Sequence, residues 1–297
     1  MRSTNLGGNY MSSDKWTPDF SALNPSFNLA IAEDLGDGDH SALSCLNRDE
    51  RGKAKLLAKE KGIIAGVSLA EYLFTYIDSS AIVTIFIEDG ALINAGDIVL
   101  EVESNTIKLL QAERLVLNYI QRLSGIATNT SKYTSMVAHT SCTILDTRKT
   151  TPGLRMLEKW AVSLGGGGNH RMGLYDMIML KDNHIDFSGG IIPAVNKVQN
   201  YLNNKNKSLK IEVETRNISE VVQALEARAD RIMLDNFTIE QTKEAVALIA
   251  RNAEIESSGG ITKETIVSYA ECGVDFISVG ALTHQIASLD MSLKASE

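Results

Sequence analysis

Apolar positions fall into two different rhythms along this chain. Between residues 54 and 102 they come in short runs, 54–58, 82–87 and 98–102, which predict strands. The turns Asp89-Gly90 and Ala95-Gly96-Asp97 and one helical segment, 67–77, separate those runs. That order predicts an α+β layer and not a βαβ series. An amphipathic stretch over 24–34 precedes it and ends in the turn cluster Gly36-Asp37-Gly38-Asp39. Ile107, Leu110, Leu115, Leu117 and Ile120 then predict a long helix from Thr106 to about Leu123, with a break at Gly125 and a second helical stretch through Val137.

Beyond residue 140 the rhythm changes. Apolar strands recur, each ending in a polar or glycine residue: 143–145 before Asp146, 177–180 before Lys181, 211–213 before Glu214, 232–234 before Asp235, 253–256 before Ser257 and 276–279 before Gly280. The last four ends, at 214, 235, 257 and 280, are 21, 22 and 23 residues apart, room for a strand, a helix and two loops. Helices are expected at 219–227, 240–251 and 263–272. This is the spacing of a β/α barrel, and six legible strands make it an incomplete one. The boundary between the two regions is expected between residues 128 and 140.

Length and composition narrow the class. A chain of 297 residues with 44% hydrophobic content can bury a substantial core, which excludes wholesale disorder. The net charge of −8 argues against nucleic-acid and anionic-membrane binding, and no apolar run approaches the roughly 20 residues of a bilayer span. Residues 1–20 are polar, so they are expected to form a flexible arm rather than a secretory leader, and a cytoplasmic protein is expected. Cys45, Cys142 and Cys272 lack disulfide or zinc spacing and are expected to be reduced thiols in or near the core.

Candidate chemistry collects at the expected strand ends. Phosphate commonly binds at the loops after the last two strands of such a barrel, here Ser257-Ser258-Gly259-Gly260 and Gly280-Ala281. Between Arg148 and His184 lie Arg148, Lys149, Arg155, Lys159, Arg171 and Lys181 against Glu158, Asp176 and Asp182, a surplus of positive charge suited to a multiply charged anion. Lys159, within the helical segment 154–164, is expected at the surface. Glu214 and Asp235 end successive strands and suit Mg²⁺ carried by a phosphate substrate, or sugar hydroxyls. Glu212 points to the same face as Glu214, so pattern alone leaves open which one reaches a ligand. The run Gly165–Arg171 is either a linker or a means of delivering His170 and Arg171 to the strand at Met177. His184 reads as a cap or core hydrogen-bonding residue as readily as a catalytic one, and Lys181 has the placement of a Schiff-base lysine as well as of a cation for an anion.

Several of these segments resemble one family. TRKTTPGLR (147–155), GGGGNHRMGLYDMIMLKDNH (165–184) and IMLDN (232–236) are similar to quinolinate phosphoribosyltransferases, the carboxylating nicotinate-nucleotide pyrophosphorylases. AEDLGDGDHSAL (32–43), AERLVLNYIQRLSGIAT (112–128), SSGG (257–260) and VGALTH (279–284) extend the likeness over almost the whole chain after the arm. The resemblance implies an α/β fold with an N-terminal α/β sandwich over 21–128, to which the tail 284–297 can return, and an incomplete TIM-like barrel of six or seven strands over 129–283. It implies a homodimer or larger homo-oligomer, in which one subunit's sandwich faces its partner's barrel. The implied reaction converts quinolinate and 5-phosphoribosyl-1-pyrophosphate to nicotinate mononucleotide, pyrophosphate and CO₂, with Mg²⁺, in NAD biosynthesis.

Residue by residue, the resemblance assigns Arg148, His170, Arg171 and Lys181 to the quinolinate carboxylate pocket, joined by Arg114 from the other subunit. Lys149 suits pyrophosphate or carboxylate, and Ser258, Gly259, Gly260 and Gly280 suit the 5-phosphate. Glu214 and Asp235 correspond to the acidic pair near ribose and Mg²⁺, with the 21-residue interval favouring Glu214 over Glu212. Lys149, Lys181, Glu214 and Asp235 are the expected catalytic residues. Two positions depart from the family pattern, Ser104 where glycine is frequent and Thr215-Arg216 where a more apolar residue is usual. The alternatives are a phosphoribosyltransferase for nicotinate, a paralogue of the molybdenum-transport-associated branch, and a non-catalytic phosphosugar-binding barrel; the density of Arg114, Arg148, Arg171 and Lys181 favours the dicarboxylate.

Overall fold

The computed structural model describes residues 16–296; most of the expected N-terminal arm, residues 1–15, lies outside the described residues. In chain order the strands are β1 (Arg51–Ala58), β2 (Gly62–Ile63), β3 (Ile82–Ile85), β4 (Leu92–Ile93), β5 (Ile98–Asn105), β6 (Thr143–Leu145), β7 (Ile178–Leu180), β8 (Ile211–Thr215), β9 (Arg231–Asp235), β10 (Glu254–Ser258), β11 (Phe276–Ser278) and β12 (Met291–Ser296). The chain divides into two compact units. One comprises the described residues of Asp14–Ser131, Thr150–Gly166 and Ala281–Glu297; the other comprises Lys132–Lys149 and Gly167–Gly280. No described helix is long and apolar enough to cross a membrane.

The first unit is built on an antiparallel sheet of order β12-β1-β5-β3. In β1, Ala54, Leu56 and Ala58 are buried, the period of two expected of a strand with one face in a core. The tail does return: β12 pairs with β1 from Lys53↔Ser296 to Ala58↔Met291, and it buries Met291 and Leu293 in the same alternation. Ser104 at the end of β5 donates its hydroxyl to the buried Asp78 carboxylate at 2.7 Å, so the departure from glycine there secures a turn. Asp78 also accepts from Asn105 N and Ser80; these bonds outweigh burial and hold its carboxyl well below the usual carboxylate range.

Three sequence expectations are corrected in this unit. Thr106–Met136 is one continuous helix with no break at Gly125. A Cβ at Gly125 would run into the Ala287 carbonyl oxygen, so glycine is there for a close approach of backbone. Lys159 is fully buried, because Leu157–Val162 is enclosed on every side of the helix Arg155–Leu164. Cys45 is exposed at the end of the short helix His40–Cys45, whereas Cys142 and Cys272 are buried as expected. The helix Arg155–Leu164 groups with the first unit, where Trp160 packs edge-on against Phe20 and Glu158 pairs with Arg122.

The second unit holds six strands in the order β6-β11-β10-β9-β8-β7, every pairing parallel. Beside β6 a single parallel bridge, Leu145↔Gly168, stands where a further strand would be. Ile232, Leu234, Ile255, Ile277 and Val213 are buried, as strands covered by helices require. Connecting helices follow the strands, among them Asp182–Ser188, Ile191–Lys205, Ile218–Glu226 and Ile239–Ile249. The parallel order places the carboxyl ends of all six strands on one rim.

Candidate active site

Each strand end on that rim carries chemistry. Arg148 and Lys149 lie just past β6, Lys181 follows β7, Glu214 sits near the end of β8, Asp235 ends β9, Ser258 ends β10, and Gly280 follows β11. Lys181 Nζ reaches Glu214 Oε2 at 2.8 Å, joining the neighbouring strands β7 and β8 in an ion pair at the mouth. The Lys181 backbone N–H donates to His184 Nδ1 at 3.1 Å, so His184 caps the start of the helix Asp182–Ser188 and fixes the turn from which the lysine projects. Asp235 Oδ2 accepts from Asn236 Nδ2 at 2.8 Å. Asn236 and the β10 loop are locked together: Asn236 N donates to Ser258 O, and a Cβ at Gly259, whose φ is +90°, would strike the Asn236 side chain.

The segment Gly165–Arg171 is an ordered delivery device. Gly168 exchanges backbone hydrogen bonds with the chain at Ile144 and Asp146. The buried Asp146 carboxylate then accepts from His170 N at 2.9 Å and from Asn169 Nδ2 at 2.6 Å. Downstream, Asp176 accepts from Met172 N and Gly173 N at 2.6 and 2.8 Å. Arg171 lies between these two anchors, and its Nη1 donates to Met177 O at 3.3 Å. Burial, and then the charge of Arg148, lower the Arg171 pKa, while Glu212 and Asp176 oppose them.

The His170 ring points into the barrel. Its Nε2 stands 3.0 Å from Glu212 on β8 and 3.3 Å from Glu256 on β10, two strands separated by β9. A chain segment bridged to β6 can reach both only because the sheet curls around it. Glu256 also accepts from Arg231 Nη1 at 2.9 Å, while Arg231 Nε and Nη2 bind Glu254 and its guanidinium lies 3.9 Å from the Phe276 ring centre. Nδ1 of His170 accepts the Arg171 N–H at 2.7 Å, which puts the ring's proton on Nε2, facing the carboxylates. Burial opposes a second proton on the ring, and Glu256 and Glu212 outweigh burial enough to push its pKa up to about 9. Burial and the neighbouring Glu256 raise the pKa of Glu212, while His170 and Arg231 act to lower it.

His170, Glu212 and Glu256 are the one group among the described residues with the spacing of a metal site. Arg231, 2.9 Å from Glu256, already supplies the cation there. A hard cation suits Glu214 and Asp235 better: they are partly accessible carboxylates near the ends of paired strands, an oxygen donor set for a metal that brings phosphate ligands with it.

Comparison with known proteins decides the family. The model for the quinolinate phosphoribosyl transferase C-terminal domain matches residues 126–294, and that for the N-terminal domain matches 39–124. The chain belongs to the quinolinate phosphoribosyltransferase family. It is 46% identical over 288 residues to a chloroplastic carboxylating nicotinate-nucleotide pyrophosphorylase of Arabidopsis thaliana, covering 92% of this chain and 82% of the relative. A probable carboxylating nicotinate-nucleotide pyrophosphorylase of Bacillus subtilis is 40% identical over 271 residues, covering 91% and 92%. Among solved structures, NadC of Streptococcus pyogenes superposes with a TM-score of 0.90 at 36% identity, covering 95% of this chain and all of that one. Human nicotinic acid phosphoribosyltransferase, with a TM-score of 0.63 at 13% identity, shares the fold alone.

Within this family member the expected site residues divide by unit. Arg148, Lys149, His170, Arg171, Lys181, Glu214, Asp235, Ser258, Gly259, Gly260 and Gly280 lie in the second unit, and Arg114 is exposed on the helix Thr106–Met136 of the first. Thr215 and Arg216 turn away from this chemistry: Thr215 Oγ1 donates to Met233 O, and Arg216 pairs with Glu220 and Asp186. Sequence reasoning missed Asp146, Asp176, Arg231 and Glu256 as parts of the site's support. Asp146 was visible as the residue ending a strand. Glu254 and Glu256, alternating with the apolar Ile255, carried the same period-two signal that drew attention to Glu212 and Glu214.

Proposed function

We propose that this protein transfers the phosphoribosyl group of 5-phosphoribosyl-1-pyrophosphate to the nitrogen of quinolinate, giving nicotinate mononucleotide, pyrophosphate and CO₂. The observation that carries this reading is the gathering of Arg148, Lys149 and Lys181 just past the strand ends of one rim, where the Arg148 charge also acts on Arg171 and Lys181 pairs with Glu214. Like charges held together repel in the free protein, and a dianion relieves that repulsion. Quinolinate has the two adjacent carboxylates such a cluster suits. Lys181, engaged by a carboxylate, has the geometry of an ion-pairing cation and not of a Schiff-base nucleophile.

The catalytic roles follow from charge development. As pyrophosphate leaves, positive charge grows at the ribosyl anomeric carbon, and the Glu214 and Asp235 carboxylates stabilise it while the pyridine nitrogen attacks. Lys149 receives pyrophosphate, and the Ser258-Gly259-Gly260 and Gly280 backbone binds the 5-phosphate. Glu214 and Asp235 would hold Mg²⁺, which when bound neutralises charge on the departing diphosphate. After ring transfer, the C2–carboxylate bond breaks and CO₂ leaves; the electron pair left on C2, stabilised by the adjacent cationic ring nitrogen, takes a proton from solvent to give nicotinate mononucleotide. No covalent enzyme intermediate is required. Arg114 reaches a partner's barrel in a homodimer, the arrangement an isologous interface allows.

Purified protein incubated with both substrates and Mg²⁺ should release pyrophosphate and CO₂ from quinolinate, and a parallel tube with nicotinate should release neither. Turnover of nicotinate at the quinolinate rate overturns the substrate assignment. Arg114→Ala and Lys181→Ala proteins, inactive alone, should regain up to about half of wild-type activity per mixed dimer after subunit exchange. No recovery after verified exchange removes Arg114 from the partner's site.

A further inference from the structure

The interior of a β/α barrel is normally filled by layers of branched apolar side chains. Here the middle of the barrel holds Glu212, Glu256, Arg231 and the His170 ring, each 5% exposed or less. A buried ion network of this kind gains little over well-packed apolar residues, because desolvating each charge costs nearly what pairing returns. Its geometry shows what else it does. Both carboxylates converge on one atom, His170 Nε2, from strands on either side of β9. The opposite ring nitrogen accepts the backbone N–H of Arg171, the arginine on which the Arg148 charge acts.

We propose that Glu212 and Glu256 are positioning residues for the quinolinate-binding arginine: they fix the His170 ring, and the ring fixes Arg171. The proposal rests on the reading of the site as a quinolinate pocket. Three constraints then meet on Arg171. Asp146 holds the chain before it and Asp176 the chain after it, so the two flanks are tied to β6 and to the turn leading into β7. The His170 ring sets the orientation of the peptide between them. Arg231 keeps the Glu256 carboxylate in place: it spans Glu254 and Glu256 with separate nitrogens and is itself flattened against Phe276. In this scheme His170 acts mainly from below the ligand, since both of its ring nitrogens face protein atoms. A bidentate guanidinium is sensitive to such support, because recognition of a planar carboxylate depends on direction as well as distance.

The test is a steady-state comparison of full-length wild type, Glu212→Gln and Glu256→Gln, each also combined with Arg171→Ala. Supporting results are a rise in quinolinate KM of roughly tenfold to a hundredfold with phosphoribosyl pyrophosphate KM within about twofold, and no further rise when Arg171 is already alanine. A purely structural role would raise both KM values together, or would add its full effect in the Arg171→Ala background; either result overturns the proposal. Glu212→Gln leaves the Arg231 pairs intact and serves if Glu256→Gln does not fold. If circular dichroism shows that neither folds, the network supports the barrel and not the site, and the proposal falls. Wild-type turnover separates the two claims: an unaltered protein that does not use quinolinate refutes the substrate reading, whereas an active wild type with unaffected variants refutes only the positioning.

Discussion

Removing the Asp146 carboxylate should loosen the segment that carries His170 and Arg171 while leaving the sheet in place. Asp146 is fully buried and accepts hydrogen bonds from His170 N at 2.9 Å and Asn169 Nδ2 at 2.6 Å. In Asp146→Ala both donors lose their partner inside the protein, at about 1–3 kcal/mol each, so the loss of stability should be about 2–6 kcal/mol. Asp146→Asn is the control. It keeps an oxygen for His170 N, and Asn169 can turn its amide to offer an oxygen to the new NH₂, so only the charge assistance is lost, about 1–2 kcal/mol. Urea titration followed by far-UV circular dichroism measures both, because Trp16 and Trp160 lie in the other unit and their fluorescence does not report on the barrel directly. Quinolinate KM should rise at least roughly tenfold in Asp146→Ala, since a 1 Å displacement of a binding group can cost about a hundredfold. An alanine variant within about 1 kcal/mol of wild type, or indistinguishable from the asparagine variant, would show that the carboxylate does not hold this segment.

Three further outcomes are expected. Arg122 donates to the buried Glu158 at 2.7 and 2.9 Å, so Arg122→Met should cost about 3–5 kcal/mol by stranding that carboxylate, and Glu158→Leu in the same chain should recover most of it; additive losses on urea titration would contradict this. Under native conditions a thiol reagent should modify the exposed Cys45 quickly and the buried Cys142 and Cys272 only after unfolding, burial having pushed the Cys142 thiol up to about 12; fast labelling of two thiols would refute the assignment. Burial favours protonation of Glu256, but His170 and Arg231 outweigh it and hold the carboxyl at about 2, against 4.5 for the free group; its contribution to stability is therefore present above pH 4.5 and lost as pH falls through about 2, and the urea midpoint of wild type should fall more steeply than that of Glu256→Gln over that window.

Much of the candidate site is legible because it sits where local pattern ends. Lys181, Glu214 and Asp235 each lie at the end of an apolar run, and a strand's end is visible in the sequence without knowledge of its neighbours. The supporting cluster was not legible for the opposite reason. Glu256 and Glu212 lie on strands separated by 38 residues of chain, 216–253, and nothing local says that His170, from a third segment, will stand between them. The glycine run before His170 looked equally suited to a linker, and only the Asp146 bonds make it a fixed arm.

Helix and strand periods determined the elements, since 3.6-residue and two-residue repeats are set by the backbone and need only one chain segment to be seen. The six barrel strands and the helix 67–77 follow from that alone. The environment of a charged side chain does not. Lys159 was expected in water and is buried, Gly125 was expected to end a helix and instead admits a passing carbonyl, and the choice between Glu212 and Glu214 was left open by alternation. Tertiary structure separated those two glutamates by depth along one strand: Glu212 meets His170 in the dry interior, and two residues on, Glu214 meets Lys181 at the mouth. A sequence shows which face a side chain takes, but the solvation and partners that decide its chemistry come from segments distant in the chain, and these meet only when the sheet closes around them.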